Sequence, residues 1–467
     1  MNVETVFLGH KTFLLSDQIK FAQYSGDKNP IHIDPTEARK TIAGECIVHG
    51  IHAFLWALSL LAARENTIPK AYRVTFKNAV NLNKDVHCTW DRASQRLKII
   101  GQYDELLVSI KGKGALQLPT NQDNLILNAP KKLNSPRKTQ VEGFSVGACF
   151  ESECGGDFSL GDDLFPDLNK KLGAYLTYEI AILSNIVGMQ IPGLRSLFTS
   201  CEIDIRREDI APVYSVESFD SRFNKIDLEY SGKNLTAKME AFVRPENVAP
   251  LNCIEIKEKL KFTGRFDGRR VLVIGGSRGI GAWVAKVVGI LGGDVTITYS
   301  LGEEEAAAVC SDINTNTKSN AESCRFDVTK DRYKDHFNEN FDDFYYFATP
   351  RIFGKKSSVF EQDRYDLLFE FYCTIFKKIA IEFIENGGSK IFYPSTIAVE
   401  QDIKGLEEYK KAKLAGEQIC LNLEQSSNVK VIIDRLDRVR TDQTLSISNA
   451  PALSPLDAAE DSVRKML

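Results

Sequence analysis

The segment Tyr24–Asp34, with the sequence YSGDKNPIHID, contains an aspartate and a histidine that could act together as an acid and a base. Asp27 and His32 are five residues apart, which excludes a common helical face. The turn formers Asn29 and Pro30 lie between them and can bring the two side chains together. A carboxylate and an imidazole that share one water can add it to a double bond, or remove it, if their pKa values allow opposite roles. The spacing alone also fits a polar turn with a hydrogen-bonded histidine.

A second pair with catalytic chemistry lies in the segment YPSTIAVEQDIKGLEEYKKAK. Tyr409 and Lys413 are four residues apart on a predicted helix, so their side chains share one face. The ammonium can lower the pKa of the phenol, which then protonates a ketone oxygen as a hydride arrives at the carbon. Such a pair also arises by chance on lysine-rich helices, and EEYKKAK is such a helix.

A glycine-rich turn precedes this pair in the chain. In VLVIGGSRGIGAWVAKV, Gly275, Gly279 and Gly281 lie between a predicted strand and a predicted helix. Glycines there permit a tight turn and a close approach of the backbone to a pyrophosphate, whose charge the helix N-terminus favours. A glycine-rich turn can be purely structural, but the strand before it and the helix after it indicate dinucleotide binding.

The composition narrows the classes of function. The chain has 467 residues, 43% of them hydrophobic, and a net charge of −4, so no basic excess would attract nucleic acid or an anionic membrane. The longest apolar run, residues 51–63, is shorter than the ~20 residues that span a bilayer. The chain does not begin with a basic segment followed by an apolar one, and its ten cysteines form no C-x-x-C pair. We therefore expect a cytoplasmic protein with reduced thiols and no metal site.

The elements that must position these residues fall into three predicted domains. Stretches rich in Pro, Asn and charged residues predict linkers at 118–140 and 244–250. The predicted domains span residues 1–119, 140–246 and 267–467. In the first two, a long helix precedes four strand-like runs, which predicts two copies of one α+β unit. In the third, strands and helices alternate, which predicts an α/β fold with a doubly wound parallel sheet.

The string FAQYSGDKNPIHIDPTEAR, followed by VHG at residues 48–50, resembles the signature of MaoC-like (R)-specific enoyl-CoA hydratases. The resemblance implies a hot-dog fold in which Asp27 and His32 are the catalytic pair and Asn29 orients the loop. It also implies that the main-chain N–H near Gly50, at the start of the central helix, holds the thioester oxygen. A helix N-terminus suits that role because its unpaired N–H groups and its dipole stabilise a developing oxyanion.

The remaining histidines limit this chemistry to one copy. Five of the six histidines lie in the first ninety residues. The second predicted domain has none, so it cannot repeat the Asp/His pair. The resemblance to double hot-dog hydratases then implies that the second copy supplies packing and part of the acyl tunnel. For His49 and His52, a capping or packing role is open beside a catalytic one. Glu179, on the second predicted helix, is either a thioesterase-type carboxylate or a structural glutamate.

The third predicted domain resembles short-chain dehydrogenases/reductases in its G-x-x-x-G-I-G turn and its Y-x-x-x-K pair. The resemblance implies catalytic roles for Tyr409 and Lys413. Their hydroxyl partner is either Thr396, at the usual separation of thirteen residues from the tyrosine, or Ser395, the more usual residue type. The resemblance also implies that Asp327 holds the adenine. The residues implied in cofactor binding are Gly275, Ser277, Arg278, Gly279, Ile280, Gly281, Ser300, Asp327, Tyr409 and Lys413.

Single positions indicate which cofactor is preferred and where the sequence departs from this family. The second strand of the third predicted domain ends in TYSLG, without an acidic residue for a free ribose 2′-hydroxyl, and Arg278 could meet a 2′-phosphate, so NADPH is favoured over NADH. Phe347 stands at the altered strand end, Phe371 lies near the place of an expected asparagine, and Asp437 follows the next strand. These departures bear on the proton relay and leave the Tyr/Lys pair in place.

The expected fold is an α+β double hot-dog followed by an α/β Rossmann-like, doubly wound parallel sheet. The expected function is a bifunctional enzyme of fatty acid or polyketide metabolism, acting on thioesters of CoA or of an acyl carrier protein. It would combine an (R)-3-hydroxyacyl thioester dehydratase/enoyl hydratase with an NADPH-dependent 3-oxoacyl thioester reductase. Two alternatives stay open: a hydratase with a degenerate nucleotide-binding scaffold, or an acyl-binding hot-dog module that feeds an active reductase. We expect neither nucleic acid nor membrane as a partner, and a homodimer is left open.

Overall fold

The chain divides into two compact units, of which unit 1 ends at Glu246 and unit 2 begins at Asn247. In the computed structural model, the described residues are 5–41, 43–116, 135–138, 145–152, 155–208, 210–246, 249–337, 339–353, 360–445 and 451–467. The predicted linker at 118–140 lies almost entirely outside them. The division of residues 1–246 into two domains therefore stays a prediction.

Unit 1 is built on one antiparallel sheet of ten strands within the described residues. Its strands are β1 (Thr5–Thr12), β2 (Ala71–Phe76), β3 (Asp85–Asp91), β4 (Arg96–Gly101), β5 (Leu106–Lys113), β6 (Cys149–Glu151), β7 (Ser196–Ile205), β8 (Val213–Asp220), β9 (Lys225–Ser231) and β10 (Leu235–Val243). The order across the sheet is β1-β3-β4-β5-β2-β7-β10-β9-β8-β6. β2 pairs with β7, with Val74 opposite Cys201, so the sheet continues from the first half of the unit into the second.

The two halves of unit 1 have the same topology. From one edge, the first half has the order β1-β3-β4-β5-β2, and from the other edge the second half has the order β6-β8-β9-β10-β7. Across the sheet, each half therefore runs from an edge strand to the strand that pairs with the other half. In each half, one long apolar helix lies between the first and the second strand of that half, counted along the chain.

The helices of unit 1 cover this sheet and bury its core. They are α1 (Leu15–Ser25), α2 (Pro30–Ile33), α3 (Pro35–Ala38), α4 (Gly50–Arg64), α5 (Gly161–Leu164), α6 (Pro166–Leu172) and α7 (Ala174–Asn185), the last continued by a π-helical turn at Ile186–Gln190. α4 and α7 are apolar almost all round, which is why both are buried in the core. The sequence predicts one helix over 167–190, but Gly173 breaks it with a φ of +87°, in the left-handed region that favours glycine.

Unit 2 contains a parallel sheet of six strands within the described residues. They are β11 (Arg270–Ile274), β12 (Asp294–Tyr299), β13 (Ala321–Arg325), β14 (Asp343–Tyr346), β15 (Lys390–Thr396) and β16 (Lys430–Leu436). The order β13-β12-β11-β14-β15-β16 reverses direction between β11 and β14. In such sheets, ligands bind in the crevice at the carboxyl ends of the strands where the order reverses. The predicted doubly wound parallel sheet is confirmed.

Helices flank the sheet of unit 2. They are α8 (Cys253–Lys259), α9 (Gly279–Ile290), α10 (Glu303–Asn316), α11 (Tyr333–His336), α12 (Gln362–Phe369), α13 (Phe376–Glu385), α14 (Glu407–Ser426) and α15 (Pro455–Met466), with a π-helical turn at Glu370–Ile375 between α12 and α13. The sequence misses β13, because AESCR is an edge strand in which only the alanine is buried and no apolar alternation forms. It also misses the edge strand β1.

Across the part of the chain that is described, no single helix combines the length and the apolarity needed to cross a bilayer. One sharply bent pair, Pro166–Leu172 with Ala174–Gln190, meets that test jointly on length and composition alone.

Candidate active sites

The loop between α1 and α2 buries the carboxyl group of Asp27, which is 1% exposed. Oδ2 of Asp27 accepts a hydrogen bond from Oγ of Ser184 at 2.6 Å, and Oδ1 accepts one from the main-chain N–H of Asn29 at 3.1 Å. Burial raises the pKa of Asp27 to about 7, although the hydrogen bonds from Ser184 and Asn29 oppose this rise. The carboxyl group can therefore carry a proton near neutral pH.

His32 lies on α2, where its ring is oriented by the main chain. Nδ1 of His32 is 2.8 Å from the carbonyl oxygen of Ile47. A carbonyl oxygen only accepts, so Nδ1 carries the hydrogen and Nε2 of the neutral ring is left as an acceptor. Burial lowers the pKa of His32 to about 4; the bond to Ile47 opposes this, and the charge of Arg244 adds to it. With the pKa of Asp27 raised and that of His32 lowered, the pair divides into an acid and a base.

His49 is part of the same cluster. Its ring stacks on that of His32 with the centroids 3.8 Å apart, and its Nε2 is 3.0 Å from the main-chain oxygen of Asp27 and 4.0 Å from Oδ2 of that residue. Nδ1 of His49 is 2.9 Å from Oε1 of Gln18. The ligand atoms of Asp27, His32 and His49 all lie within 4.8 Å of one another, a grouping that could also hold a metal ion.

Asn29 and Gly50 are the two other residues of unit 1 with a predicted catalytic role. The side-chain amide of Asn29 donates to the carbonyl oxygens of Gly188 at 2.9 Å and Gly193 at 3.1 Å, which fixes the loop to the second half of unit 1. Gly50 is the first residue of α4, so its N–H has no acceptor within the helix. Their roles toward a substrate stay predictions.

His52 and Glu179, whose roles the sequence leaves open, make contacts of the protein interior. The ring of His52 stacks on that of Phe21 with the centroids 4.6 Å apart, and burial lowers its pKa to about 3. Glu179 accepts hydrogen bonds from the Tyr230 hydroxyl at 3.1 Å and from Nδ2 of Asn234 at 2.7 Å. These bonds hold the turn between β9 and β10, so the structural reading of Glu179 is the better one.

The glycine-rich turn of unit 2 joins β11 to α9 at the carboxyl edge of the parallel sheet. Gly275 has a φ of +78°, and a Cβ there would lie 3.0 Å from the main-chain carbon of Phe347 and 3.1 Å from the nitrogen of Ala348. A Cβ at Gly281 would collide with the main-chain oxygen of Gly275. The turn therefore packs backbone on backbone and places the N-terminus of α9 at the edge where a pyrophosphate would bind. The predicted dinucleotide fits this cradle.

The other residues predicted to bind the nucleotide follow adjacent strands at the same edge. Ser277, Arg278 and Ile280 come after β11, Ser300 after β12 and Asp327 after β13. Because carboxyl ends of parallel strands share one edge, these residues lie along one side of the crevice.

The two charged residues of this set, Arg278 and Asp327, already have partners within the chain. Nη1 of Arg278 is 3.3 Å from Oδ2 of Asp442, which lies after β16. Oδ1 of Asp327 accepts a hydrogen bond from Oγ1 of Thr329 at 2.7 Å, and its Oδ2 is 3.1 Å from Nζ of Lys330. A nucleotide that used Arg278 or Asp327 would have to share them with these partners.

Tyr409 and Lys413 share one face of α14, as predicted, and both are buried. Nζ of Lys413 donates to the carbonyl oxygen of Pro394 at 2.6 Å and lies 3.7 Å from the centroid of the Tyr372 ring and 5.8 Å from that of Tyr409. Burial lowers the pKa of Lys413 to about 7. Burial also raises the pKa of Tyr409.

Ser395 and Thr396, the last two residues of β15, have different partners on α14. Oγ of Ser395 donates to Oε1 of Glu417, which is itself paired with Arg435 at 2.7 Å. The side chain of Thr396 partly offsets the rise that burial causes in the pKa of Tyr409. Thr396 is therefore the residue placed beside the Tyr/Lys pair.

The departures from the dehydrogenase pattern lie at the same edge of the sheet. Phe347 follows β14, Phe371 lies in the π-helical turn and Asp437 follows β16. Next to Phe371, the ring of Tyr372 faces Lys413, and its hydroxyl is hydrogen-bonded to Thr349. An aromatic ring thus lies beside the lysine close to the place where the family resemblance leads one to expect an asparagine.

Sequence reasoning missed two contributors, Ser184 and Tyr372. Ser184 is a buried serine near the end of the apolar helix α7, and it is followed at the i+4 position by Gly188. This polar and small pair on an otherwise apolar helix is a local signal that could have marked it. Tyr372 has no comparable signal, because it lies in a stretch rich in aromatic residues.

Comparison with protein families assigns two parts of the chain. Residues 8–101 match the model described as MaoC like domain, and residues 269–343 match the model described as short chain dehydrogenase. The chain therefore carries a MaoC-like domain followed by a short-chain dehydrogenase domain, which confirms that level of the sequence prediction. The two domains indicate an enzyme with dehydratase and oxidoreductase activity. None of the curated proteins compared with the chain matches it.

Three solved structures similar to this chain each match less than half of it. A dehydrogenase/reductase from Sinorhizobium meliloti 1021 is 20% identical, with 43% of this chain and 88% of that chain covered and a TM-score of 0.39. A short-chain dehydrogenase from Burkholderia cenocepacia J2315, solved in complex with NADP, is 20% identical, with 42% and 89% covered and a TM-score of 0.37. The angucycline C-6 ketoreductase LanV, solved with bound NADP, is 20% identical, with 44% and 90% covered and a TM-score of 0.39.

Proposed function

We propose that the chain is a bifunctional acyl-thioester enzyme, with an (R)-3-hydroxyacyl thioester dehydratase/enoyl hydratase in unit 1 and an NADPH-dependent 3-oxoacyl thioester reductase in unit 2. The observation that carries the proposal is the Asp27/His32 pair, whose pKa values are driven in opposite directions in one buried loop. The repeated strand order supports a second hot-dog half in unit 1. The carrier would be CoA or an acyl carrier protein, and the two activities would meet at the 3-hydroxyacyl thioester.

In the hydration direction, the two groups of unit 1 act on opposite ends of the double bond. Nε2 of His32 takes a proton from water as the oxygen bonds to Cβ, and protonated Asp27 gives its proton to Cα. The main-chain N–H of Gly50, at the N-terminus of α4, would stabilise the negative charge on the thioester oxygen. The cycle closes when the proton on His32 leaves and Asp27 is protonated again. Dehydration runs through the same steps in reverse.

In unit 2, the residues of α14 and β15 serve the carbonyl oxygen of the 3-oxoacyl group. Bound NADPH would supply a hydride to the carbonyl carbon. The hydroxyl of Tyr409 gives its proton to the oxygen, and Thr396 holds that hydroxyl in place. Lys413, close to the ring of Tyr409, favours the phenolate that this transfer leaves behind.

A paired assay on the purified full chain tests the proposal. Hydration of a short-chain 2-enoyl thioester is expected to yield the R enantiomer of the 3-hydroxyacyl product, resolved by chiral chromatography. Reduction of a 3-oxoacyl thioester is expected to consume NADPH, followed by the absorbance of the reduced nicotinamide. Absence of turnover in the first assay would rule out the hydratase activity, and absence of turnover in the second would rule out the reductase activity.

The hydroxyl partner of Tyr409 gives a prediction within one strand. Thr396→Val is expected to lower the reduction rate by about a hundredfold, because it removes the hydroxyl that acts on the catalytic phenol. Ser395→Ala, the adjacent matched change, should keep most of the rate, since that hydroxyl bonds to the carboxylate of Glu417. Steady-state rates with the 3-oxoacyl thioester compare them. Equal losses in the two variants would contradict the assignment of Thr396.

The cofactor preference gives another prediction. Arg278→Ala is expected to raise the Kd for NADPH by about tenfold or more and to leave that for NADH unchanged, because only NADPH carries the 2′-phosphate. Asp442→Asn should act in the opposite sense, since it removes the carboxylate that competes for this guanidinium. Quenching of protein fluorescence by each nucleotide measures the four affinities. An equal effect of Arg278→Ala on both nucleotides would argue against the 2′-phosphate contact.

The contacts of Lys413 favour a second candidate, in which the hydratase is active and unit 2 binds nucleotide as a scaffold. Nζ of Lys413 is hydrogen-bonded to Pro394 and lies against the ring of Tyr372, so it would have to leave these partners to serve a nucleotide ribose. This candidate predicts NADPH binding by fluorescence quenching without reduction of any 3-oxoacyl thioester. A measurable reduction rate would exclude it.

A further inference from the structure

We propose that Ser184, on α7 of the second half of unit 1, is a positioning residue of the hydratase centre that holds the carboxyl group of Asp27 in its working orientation. The inference rests on the proposed hydratase function. It gives a role in the chemistry to the half of unit 1 that has no histidine.

The C-terminal end of α7 is hydrogen-bonded both to the side chain of Asp27 and to the main chain of the loop that carries it. Oγ of Ser184 donates to Oδ2 of Asp27 at 2.6 Å. The next residue, Asn185, donates from Nδ2 to the carbonyl oxygen of Gly26 at 2.8 Å and accepts from Nε2 of Gln190 at 2.7 Å. Two consecutive residues of one helix therefore hold two consecutive residues of the catalytic loop.

The shape of the same helix supports this role independently of the hydrogen bond. Gly188 lies in the π-helical turn that continues α7, and a Cβ there would collide with the carboxylate of Asp27. π-helical turns are rare, and they occur often at functional sites. The helix thus provides a donor at one position and the necessary space four residues later, and both features face the same carboxyl group.

The hydrogen bond also sets the balance between the two protonation states of Asp27. Ser184 and the N–H of Asn29 both donate to the carboxyl oxygens and favour the carboxylate, whereas burial favours the acid. The other titratable groups around Asp27 are His49, 4.0 Å from Oδ2, and His32 on α2; Arg244 acts on His32. Loss of Ser184 removes one of the two bonds to the carboxylate, so the pKa of Asp27 rises.

Ser184→Ala tests the proposal through the pH profile of kcat/KM for a short-chain 2-enoyl thioester. Hydration needs protonated Asp27 and is lost as the pH rises through its pKa, so a raised pKa moves the alkaline limb upward, by about one pH unit. We also expect the maximal rate to fall by about tenfold to a hundredfold, because the carboxyl group is less well oriented. Ser184→Thr keeps the hydroxyl and should restore the limb of the unmodified chain.

Ser59→Ala is the matched control. Ser59 lies near the end of α4, in ALSL, where α7 has ILSN, and its buried Oγ has no hydrogen-bond partner among the described residues. It should leave the profile unchanged. An unmoved alkaline limb in Ser184→Ala, or an equal shift in Ser59→Ala, would overturn the proposal.

A second readout does not depend on activity. The protonated carboxyl band of Asp27 can be identified in infrared spectra by its absence in Asp27→Asn, and its midpoint should rise in Ser184→Ala but not in Ser59→Ala. If the unmodified chain hydrates no enoyl thioester, the proposed function fails, yet this titration still decides whether Ser184 acts on Asp27. If the alanine variant does not fold, Ser184→Cys, with a similar volume and a weaker donor, should show an upward shift; an unchanged midpoint there counts against the proposal.

Discussion

Replacing Asp27 with asparagine should lower the hydration of enoyl thioesters by about a thousandfold and leave the reduction of 3-oxoacyl thioesters unchanged. The amide has nearly the same shape as the carboxyl group, so it fills the same space beside Gly188, but it cannot donate a proton to Cα or take one from it. The measurement is the rate of loss of the enoyl absorbance, with NADPH oxidation by the same preparation as the internal standard.

Asp163→Asn provides the matched control for this change. Asp163 is an exposed aspartate of unit 1, paired with Lys20 at 3.0 Å, and such surface pairs contribute little. Neither activity should change in that variant. If Asp27→Asn retained half of the hydration rate, or if a folded variant also lost reduction, the acid/base role of Asp27 would be wrong.

Replacing Tyr409 with phenylalanine should produce the opposite pattern, a loss of reduction of about a thousandfold with hydration unchanged. The ring keeps its packing against Tyr372, whose centroid is 5.7 Å away, so the variant loses the proton donor without a new cavity. The remaining rate measures hydride transfer without a positioned acid. NADPH oxidation with a 3-oxoacyl thioester reports it, with the enoyl assay as the internal standard.

Tyr365→Phe, on α12 of the same unit, is the control for Tyr409→Phe. Its ring lies 5.7 Å from that of Phe369 and makes no contact with Lys413 among those described. It should keep both activities. A loss of both activities in folded Tyr409→Phe would mean that one site serves both reactions, and the two-site account would be wrong.

The sequence predicts well what depends on local spacing. The Asp27 loop, the glycine turn and the Tyr/Lys pair each need only a few neighbouring residues, so their chemistry can be proposed without knowledge of the fold. The alternation of helices and strands in unit 2 is equally local, since each element carries its own apolar pattern. Even so, the polar edge strand β13 was missed, because an edge strand with one buried residue has no such pattern.

What the sequence does not predict depends on contacts between distant residues. Ser184 and Asp27 are 157 residues apart, and the local signal at Ser184 does not identify Asp27 as its partner. The choice between Ser395 and Thr396 depends on which residue of α14 each hydroxyl meets, and the pattern of β15 alone does not show this. Spacing favoured one residue and residue type the other, and only the geometry separates them.

The continuous pairing of β2 with β7 has a consequence for how this chain can vary. In a symmetric pair of identical subunits, any substitution that serves one centre is repeated at the other. In a ten-stranded sheet made by one chain, each half can change alone. In the proposed hydratase, α4 would present its N-terminus, at Gly50, to the thioester, while the C-terminal end of α7 places Ser184 against the carboxyl group of Asp27. Two helices at equivalent places in the topology would then serve different groups in one reaction.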